Sequence, residues 1–215
     1  MRLFFKLAMF IAGSSLFIST GGAARIYRTF EHYTISGTTA KQLDEAIMRN
    51  GPFLGETGNR HPGASRISFD PHIKLEKDRH GCRVKTVSID VRATISLPYW
   101  KQRRHTSDIE LAVIWDVLSR DIRQHEESHV IIARSHASQM EQALRTMRSR
   151  PTCEALEHDV AKTLDAIFIR HDMQQRNFDR IETRNYKNRF NRLLERRLQN
   201  VLIFKGKKKY RLDFS

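Results

Sequence analysis

Long apolar segments and cysteines are scarce in this sequence of 215 residues, and acidic residues are fewer than basic ones. Past the N-terminus, no segment is apolar enough to cross a bilayer, which takes roughly 20 residues, and this excludes further membrane spans. The sequence holds no internal repeat and no recognised nucleic-acid-binding motif, so a nucleic-acid partner would rest on charge alone. Hydrophobic residues still make up 40% of the chain, which favours one globular domain with a real core over disorder.

Residues 1–24 have the composition of a signal peptide. Arg2 and Lys6 form a short basic region, residues 7–18 are mostly apolar, and residues 22–24 are small. This pattern predicts an exported protein, either periplasmic or secreted. The alternative is a leader that is not cleaved and remains in the membrane as an anchor.

Only two cysteines are present, Cys82 and Cys153. In an exported protein, the presence of only two cysteines favours a single disulfide between them. The alternative is two free buried thiols. The bridge would close a long loop of the unfolded chain, which contributes on the order of 4 kcal/mol to stability.

Basic residues outnumber acidic ones: 38 lysines and arginines occur with 24 aspartates and glutamates, for a net charge of +14. A basic protein attracts polyanions such as anionic lipid, acidic cell-wall polymers or nucleic acid, and export argues against nucleic acid. Much of the positive charge lies in residues 192–215, which are predicted to be a basic tail. This tail either docks on an anionic envelope surface or is a solvated, solubilising segment.

Residues 25–191 are predicted to form one α+β domain: a small antiparallel sheet followed by a long antiparallel helical hairpin. Alternation of apolar and polar residues indicates the strands, and apolar residues at intervals of three and four indicate the helices. Ser107 is the predicted cap of the first long helix, with Glu110 three residues later. The predicted elements are strands at 27–36, 67–75 and 84–97, a short helix from 39 to about 49, a loop at 53–64, and long helices at 107–147 and from about 154 to at least 190. The tail after residue 192 is predicted to be either a strand followed by a basic end or a loose segment.

The strongest chemical signal is His125-Glu126-Glu127-Ser128-His129, which matches the pattern H-E-x-x-H. Residues four apart on a helix differ by ~40° in direction and one turn in height. Both histidines lie on the apolar stripe of the predicted helix, so their imidazoles can reach one tetrahedral zinc ion. Glu126 points to one side of the line that joins the two histidines, where it can take a proton from a zinc-activated water. The alternative is a set of core histidines satisfied by hydrogen bonds.

A third protein ligand must come from elsewhere in the chain. His136 lies ~10.5 Å above His129 on a straight helix, and no glycine between them bends the chain. His136 is therefore predicted to be a core residue or an outer partner of the site. In an antiparallel hairpin, His171 on the second helix faces His129 at nearly the same height, and Asp179 stands close to the level of His125. Both His171 and Asp179 remain candidates.

Several short sequence segments before and after this motif occur in the order that is found in a known family. On these segments the chain resembles the bacterial domain-of-unknown-function family 922, whose members are described as predicted secreted zinc-dependent proteases. The sequence departs from the family pattern after them, where Asn185 and Tyr186 stand in place of an expected His-Gly pair. The segments are Tyr33-Thr34-Ile35-Ser36-Gly37-Thr38, Gly51-Pro52, Leu97-Pro98-Tyr99-Trp100, Trp115, the motif itself and Phe178-Asp179.

The resemblance implies roles for individual residues. It implies that His125 and His129 bind zinc, that Glu126 is the general base, and that the aromatic-Asp pair Phe178-Asp179 supplies Asp179 as a ligand. The predicted function is an exported peptidase with one zinc ion that hydrolyses peptide or protein substrates. The alternative is a catalytically inactive, envelope-associated binding or structural protein with a vestigial or structural metal site.

Overall fold

The structure is a computed structural model that describes residues 24–55 and 58–212, with side chains as far as Val201. The predicted leader therefore lies outside the described residues, apart from Ala24. Apolar alternation produces the strands, and apolar stripes produce the long helices. In chain order the elements are β1 (Ile26–Ile35), α1 (Ala40–Asn50), β2 (Phe53–Leu54), β3 (Asn59–Arg60), β4 (Ala64–Asp78), β5 (Gly81–Trp100), α2 (Ile109–Arg145) and α3 (Cys153–Leu212).

The main sheet has three strands in the order β1-β5-β4. β4 pairs with β5 in the antiparallel direction, as predicted, but β1 runs parallel to β5. The α+β fold is confirmed, whereas the prediction of a wholly antiparallel sheet is wrong. Alternation along a strand shows which face is buried, but it carries no information about the direction of the neighbouring strand.

One face of the sheet is covered by the two long helices. The odd-numbered residues of β5 from Val87 to Leu97 are buried, and they form a core with small residues of α2 such as Ala133 and Ala137. A series of buried residues of α2 lies at intervals of three and four, as the predicted stripe requires: Ile122, Glu126, Val130, Ala133, Ala137, Met140 and Leu144. This packing places α2 directly over the middle of the sheet.

Two local predictions differ from the structure. The cap of α2 is Asp108, whose carboxylate accepts a hydrogen bond from the backbone N–H of Leu111 at 2.9 Å, and not Ser107. Both residue types are good caps, so only the position of the first helical turn decides between them. The segment 53–64, predicted to be a loop, contains the short antiparallel pair of β2 and β3.

Helix α3 continues past residue 190, the least extent that the sequence predicts for it, and residues 192–212 are helical rather than a strand or a loose segment. It passes through residue 192, where the predicted basic tail begins, and reaches Leu212. Residues 154–205 contain no proline or glycine, the residues that most often end a helix.

No helix in the described part of the chain is both long and apolar enough to cross a membrane.

The predicted disulfide joins Cys82 at the start of β5 to Cys153 at the start of α3. Next to the disulfide, the backbone N–H of Cys82 donates to the carbonyl oxygen of Arg150 at 2.7 Å. The backbone N–H of Arg150 donates to the carbonyl oxygen of Cys82 at 2.9 Å. A Cβ on Gly81 would lie 2.3 Å from the same Arg150 carbonyl oxygen. Glycine at 81 therefore lets the helical connection lie against the sheet.

Loss of this disulfide is expected to lower the free energy of unfolding by about 4 kcal/mol, because the bridge joins residues 71 positions apart in the unfolded chain. Urea unfolding of the double variant Cys82→Ala/Cys153→Ala measures the loss. Wild-type protein reduced with dithiothreitol is the control that keeps both cysteine side chains. Equal stability of the reduced and oxidised wild-type protein would show that the bridge contributes nothing.

Candidate metal centre

Helices α2 and α3 lie side by side and bring three predicted ligand residues together. Nε2 of His125 lies 3.1 Å from Nε2 of His129. Oδ1 of Asp179 lies 3.2 Å from Nε2 of His125 and 3.0 Å from Nε2 of His129. Among the described residues, these three form the only group of His, Cys, Asp or Glu side chains whose donor atoms are close enough to hold a metal ion.

Phe178 packs against both imidazoles. Its ring stacks on His125, with centroids 5.0 Å apart and planes at 27°, and it meets His129 edge-on at 5.1 Å. These ring contacts hold both histidines from the α3 side. Consecutive residues of α3 therefore act together, because Phe178 orients the imidazoles and Asp179 adds the carboxylate.

Gln175 bonds to the other nitrogen of the His129 ring. Its Oε1 lies 2.6 Å from Nδ1 of His129, and its Nε2 donates to the backbone carbonyl oxygen of His129 at 3.1 Å. An amide oxygen can only accept, so Nδ1 of His129 carries the proton. In the neutral form of the ring, Nε2 of His129 then has a lone pair for a metal ion, on the side where His125 and Asp179 lie.

Burial and charge act in opposite directions on the pKa values of the centre. Burial alone would raise the pKa of Asp179, but hydrogen bonds from His125 and His129 hold that pKa well below its usual value. Burial also works to lower the pKa of His129, yet hydrogen bonds to Asp179 and Gln175 raise it. Asp179 is thus a carboxylate, the form that binds a cation.

His171, the other candidate for the third ligand, lies about two helical turns nearer to the connection between α2 and α3 than Asp179 does. Its ring faces buried His136 at 5.4 Å, so the prediction that it stands opposite His129 is wrong. Its Nε2 accepts from Nε2 of Gln175 at 2.8 Å, and its Nδ1 donates to Asp172 at 2.9 Å. Counting residues from the turn predicts only an approximate pairing, because side-chain packing sets how far one helix slides along the other.

Glu126, the predicted base, is buried, with 5% of its surface exposed. Burial raises the pKa of its carboxyl group, while a hydrogen bond from the Ser65 hydroxyl to Oε2, at 2.9 Å, works to lower it. A carboxylate with a raised pKa accepts a proton more readily. A Cβ on residue 63 would lie 2.7 Å from Oε1 of Glu126, so Gly63 allows the backbone to pass beside this oxygen.

A cleft of about 290 Å³ is lined by both His125 and Glu126. One wall is the segment 61–63, where the hydroxyl of Tyr33 donates to the carbonyl oxygen of Pro62 at 2.7 Å. The opposite wall is α3. Arg189 on that wall binds the carboxylate of Asp121 on α2, which ties the two helices together, and it also pairs with Glu182 of its own helix. Molecules from solvent can therefore reach the candidate centre through this cleft.

The triangle of donor atoms has the size that a zinc ion requires. Neighbouring ligand atoms of a tetrahedral site with bonds of 2.0–2.1 Å lie roughly 3.3 Å apart, and the separations in this protein are 3.0–3.2 Å. Two imidazoles and one carboxylate also leave a fourth position for water or substrate, as catalytic zinc sites do. The residues therefore fit zinc.

The family model of DUF922, a bacterial protein of unknown function, matches residues 30–186. The chain belongs to the DUF922 family. No curated protein and no solved structure matches the chain. The DUF922 match begins within β1 and extends past Asp179, so it includes the whole candidate centre. The basic segment after residue 192 lies beyond it.

Two residues of this DUF922 site, Gly63 and Ser65, are missing from the sequence-based prediction. Both act on Glu126, which lies about 60 positions farther along the chain, and their contact depends on how β4 lies beside α2. Pro62-Gly63 signals a turn, and nothing in the pattern links that turn to Glu126.

Proposed function

We propose that this DUF922 protein is a zinc-dependent peptidase that acts outside the cytoplasm. The supporting observation is the triangle of donor atoms from His125, His129 and Asp179 beside the buried carboxylate of Glu126, in an open cleft. These three residues would hold a zinc ion, which would supply a Lewis acid to polarise a peptide carbonyl and to lower the pKa of water. Replacement of Glu126, described in the Discussion, tests the proposal.

The chain's own residues provide the proton transfers. Glu126 takes a proton from the attacking water and passes it to the leaving amine. Its Oε2 is already bonded to Ser65, so Oε1, next to Gly63, is the oxygen that carries the proton. Phe178 keeps both imidazoles in place by ring contacts, and Gln175 holds His129 through Nδ1 rather than through Nε2.

Strand β4 provides a surface for an extended peptide. It is an edge strand of the main sheet, and its residue Ser65 touches Glu126. Edge strands bind extended peptides by adding them to the sheet through main-chain hydrogen bonds. A peptide added along the first residues of β4 would place its backbone close to Glu126.

Gln175 is proposed to orient His129 for zinc binding. We expect Gln175→Leu to weaken zinc binding roughly 10–100-fold, the usual effect of losing an outer partner of a metal-binding histidine. Competition with a chromophoric chelator measures the affinity. The matched control is Gln174→Leu, because Gln174 is the exposed neighbour. Equal zinc affinity in both variants would show that the bond to Nδ1 of His129 has no such role.

The location outside the cytoplasm is supported by the leader-like residues 1–24 and by the disulfide, since disulfides persist in oxidising compartments.

A second candidate function is an envelope-binding protein with a structural metal site. It is supported by α3, which continues past the DUF922 match and exposes Arg192, Arg196 and Arg197. These cations would dock on an anionic envelope surface.

A further inference from the structure

A second concave site lies between α2 and the end of β5, beside the edge strand β1. Phe30 and His32 of β1 pair in register with Ile95 and Leu97 of β5, so they share the sheet face that carries the helices. Ile95 and Leu97 are buried, whereas Phe30 is 37% exposed and His32 is exposed. α2 thus does not fully cover β1, and a groove of about 470 Å³ remains.

Arginines dominate the charge of this groove. Arg103 and Arg104 come from the turn after β5, and Arg120 and Arg123 come from α2. Asp116 is the only acidic residue in the lining, and both of its oxygens are already bonded to Arg103, at 2.7 and 2.6 Å. Four arginines therefore face a single carboxylate that is already paired.

The other three arginines lack a strong acidic partner. The guanidinium of Arg123 lies 4.7 Å above the ring of Phe30 and 3.9 Å from Glu127, a long and partly exposed ion pair of little strength. Arg104 and Arg120 are exposed and make no ion pair with any described residue. Like charges in one concavity repel each other, and concave walls concentrate their field, so such a groove attracts anions.

This groove is separate from the candidate metal centre. Arg123 and His125 are two positions apart on α2, which places their side chains ~200° apart around the helix axis. No described residue lines both the groove and the cleft beside Glu126. A ligand can therefore occupy the groove without touching the donor triangle.

We propose that this groove binds the phosphate group of a phosphate-bearing organic ligand. Guanidinium groups match a tetrahedral oxyanion through paired N–H donors, and three of them without strong partners suit a doubly charged group better than a single carboxylate. The groove is much larger than one phosphate group. The exposed Tyr99 ring and His32 provide contacts for the rest of the ligand.

Glycerol 3-phosphate tests the proposal by titration calorimetry at constant ionic strength. We expect saturable binding to the wild-type protein, and affinity at least tenfold lower in Arg104→Gln/Arg120→Gln. The matched control is Arg134→Gln/Arg148→Gln, which removes two exposed arginines outside the groove and should bind like wild type. Binding should also survive in Asp179→Ala, since the metal centre is not involved.

Several results would overturn the proposal. These are absence of saturable binding to wild-type protein, equal losses in both arginine double variants, equally tight binding of acetate, or loss of binding in Asp179→Ala. If binding is seen, vesicles of phosphatidylcholine with and without phosphatidic acid, whose phosphate is a monoester like that of glycerol 3-phosphate, identify the source of the phosphate. Sedimentation with phosphatidic acid that requires Arg104 and Arg120 supports a lipid headgroup. Sedimentation that does not require them leaves the soluble phosphate as the supported ligand.

Discussion

Replacement of Glu126 by glutamine is expected to lower peptide hydrolysis about 10²–10⁴-fold, the usual contribution of a general base, while bound zinc stays at the wild-type level. Glutamine has nearly the same shape and can keep the bond to Ser65, but it cannot accept the proton of the attacking water. Glu126 is not one of the three residues whose donor atoms form the triangle, so metal binding should not change. Hydrolysis is measured by incubating the enzyme with a denatured protein as substrate and detecting the new amino termini of that substrate by mass spectrometry. Elemental analysis measures the zinc bound to the enzyme.

Glu127→Gln is the matched control for this experiment. Glu127 is the next residue of the same helix and forms only a long ion pair with Arg123, at 3.9 Å, so its replacement should leave both hydrolysis and zinc unchanged. A wild-type protein that holds zinc but cleaves nothing would refute the peptidase proposal and favour the structural metal site. A natively folded protein that binds no zinc would refute both.

Asp179→Ala is expected to weaken zinc binding more than ~100-fold, beyond the range typical of outer partners. The reason is that Asp179 contributes one of the three donor atoms and is the only negatively charged residue among the three donors. With only two imidazoles left, the ion loses both a ligand and its charge neutralisation. Chelator competition measures the affinity, and the expected loss should be accompanied by loss of hydrolysis.

Two further variants make this result specific. Asp165→Ala removes an exposed carboxylate of the same helix and should bind zinc like wild type. His171→Ala tests the other predicted ligand, and its loss should be no larger than that of an outer partner, because its ring reaches the centre only through Gln175. If His171→Ala lost zinc while Asp179→Ala retained it, the assignment of the third ligand would be reversed.

Local periodicity explains why part of the candidate centre was predictable. His125 and His129 lie one turn apart on a helix that the apolar stripe indicates, so their approach follows from helix geometry alone. The family resemblance then pointed to Asp179. Residue counting along the hairpin could not decide between Asp179 and His171, because the sliding of α3 along α2 results from packing of many side chains.

Long-range contacts explain what was not predictable. The parallel pairing of β1 with β5 joins residues 65 positions apart, and no local pattern encodes strand direction. Ser65 reaches Glu126 only because β4 passes beside α2. The groove at β1 is likewise invisible in the sequence, since Arg103, Arg104, Arg120 and Arg123 look like ordinary surface cations until the uncovered strand is seen.

The helical hairpin is fastened on both sides of the donor triangle. The disulfide and the Cys82–Arg150 backbone pair hold the end where α2 passes into α3, and the ion pair of Asp121 with Arg189 joins the helices beyond the triangle. The three donor side chains are consequently preorganised in the folded protein, and little conformational entropy remains to be lost when an ion enters. Metal uptake and release should therefore proceed with almost no rearrangement of the backbone.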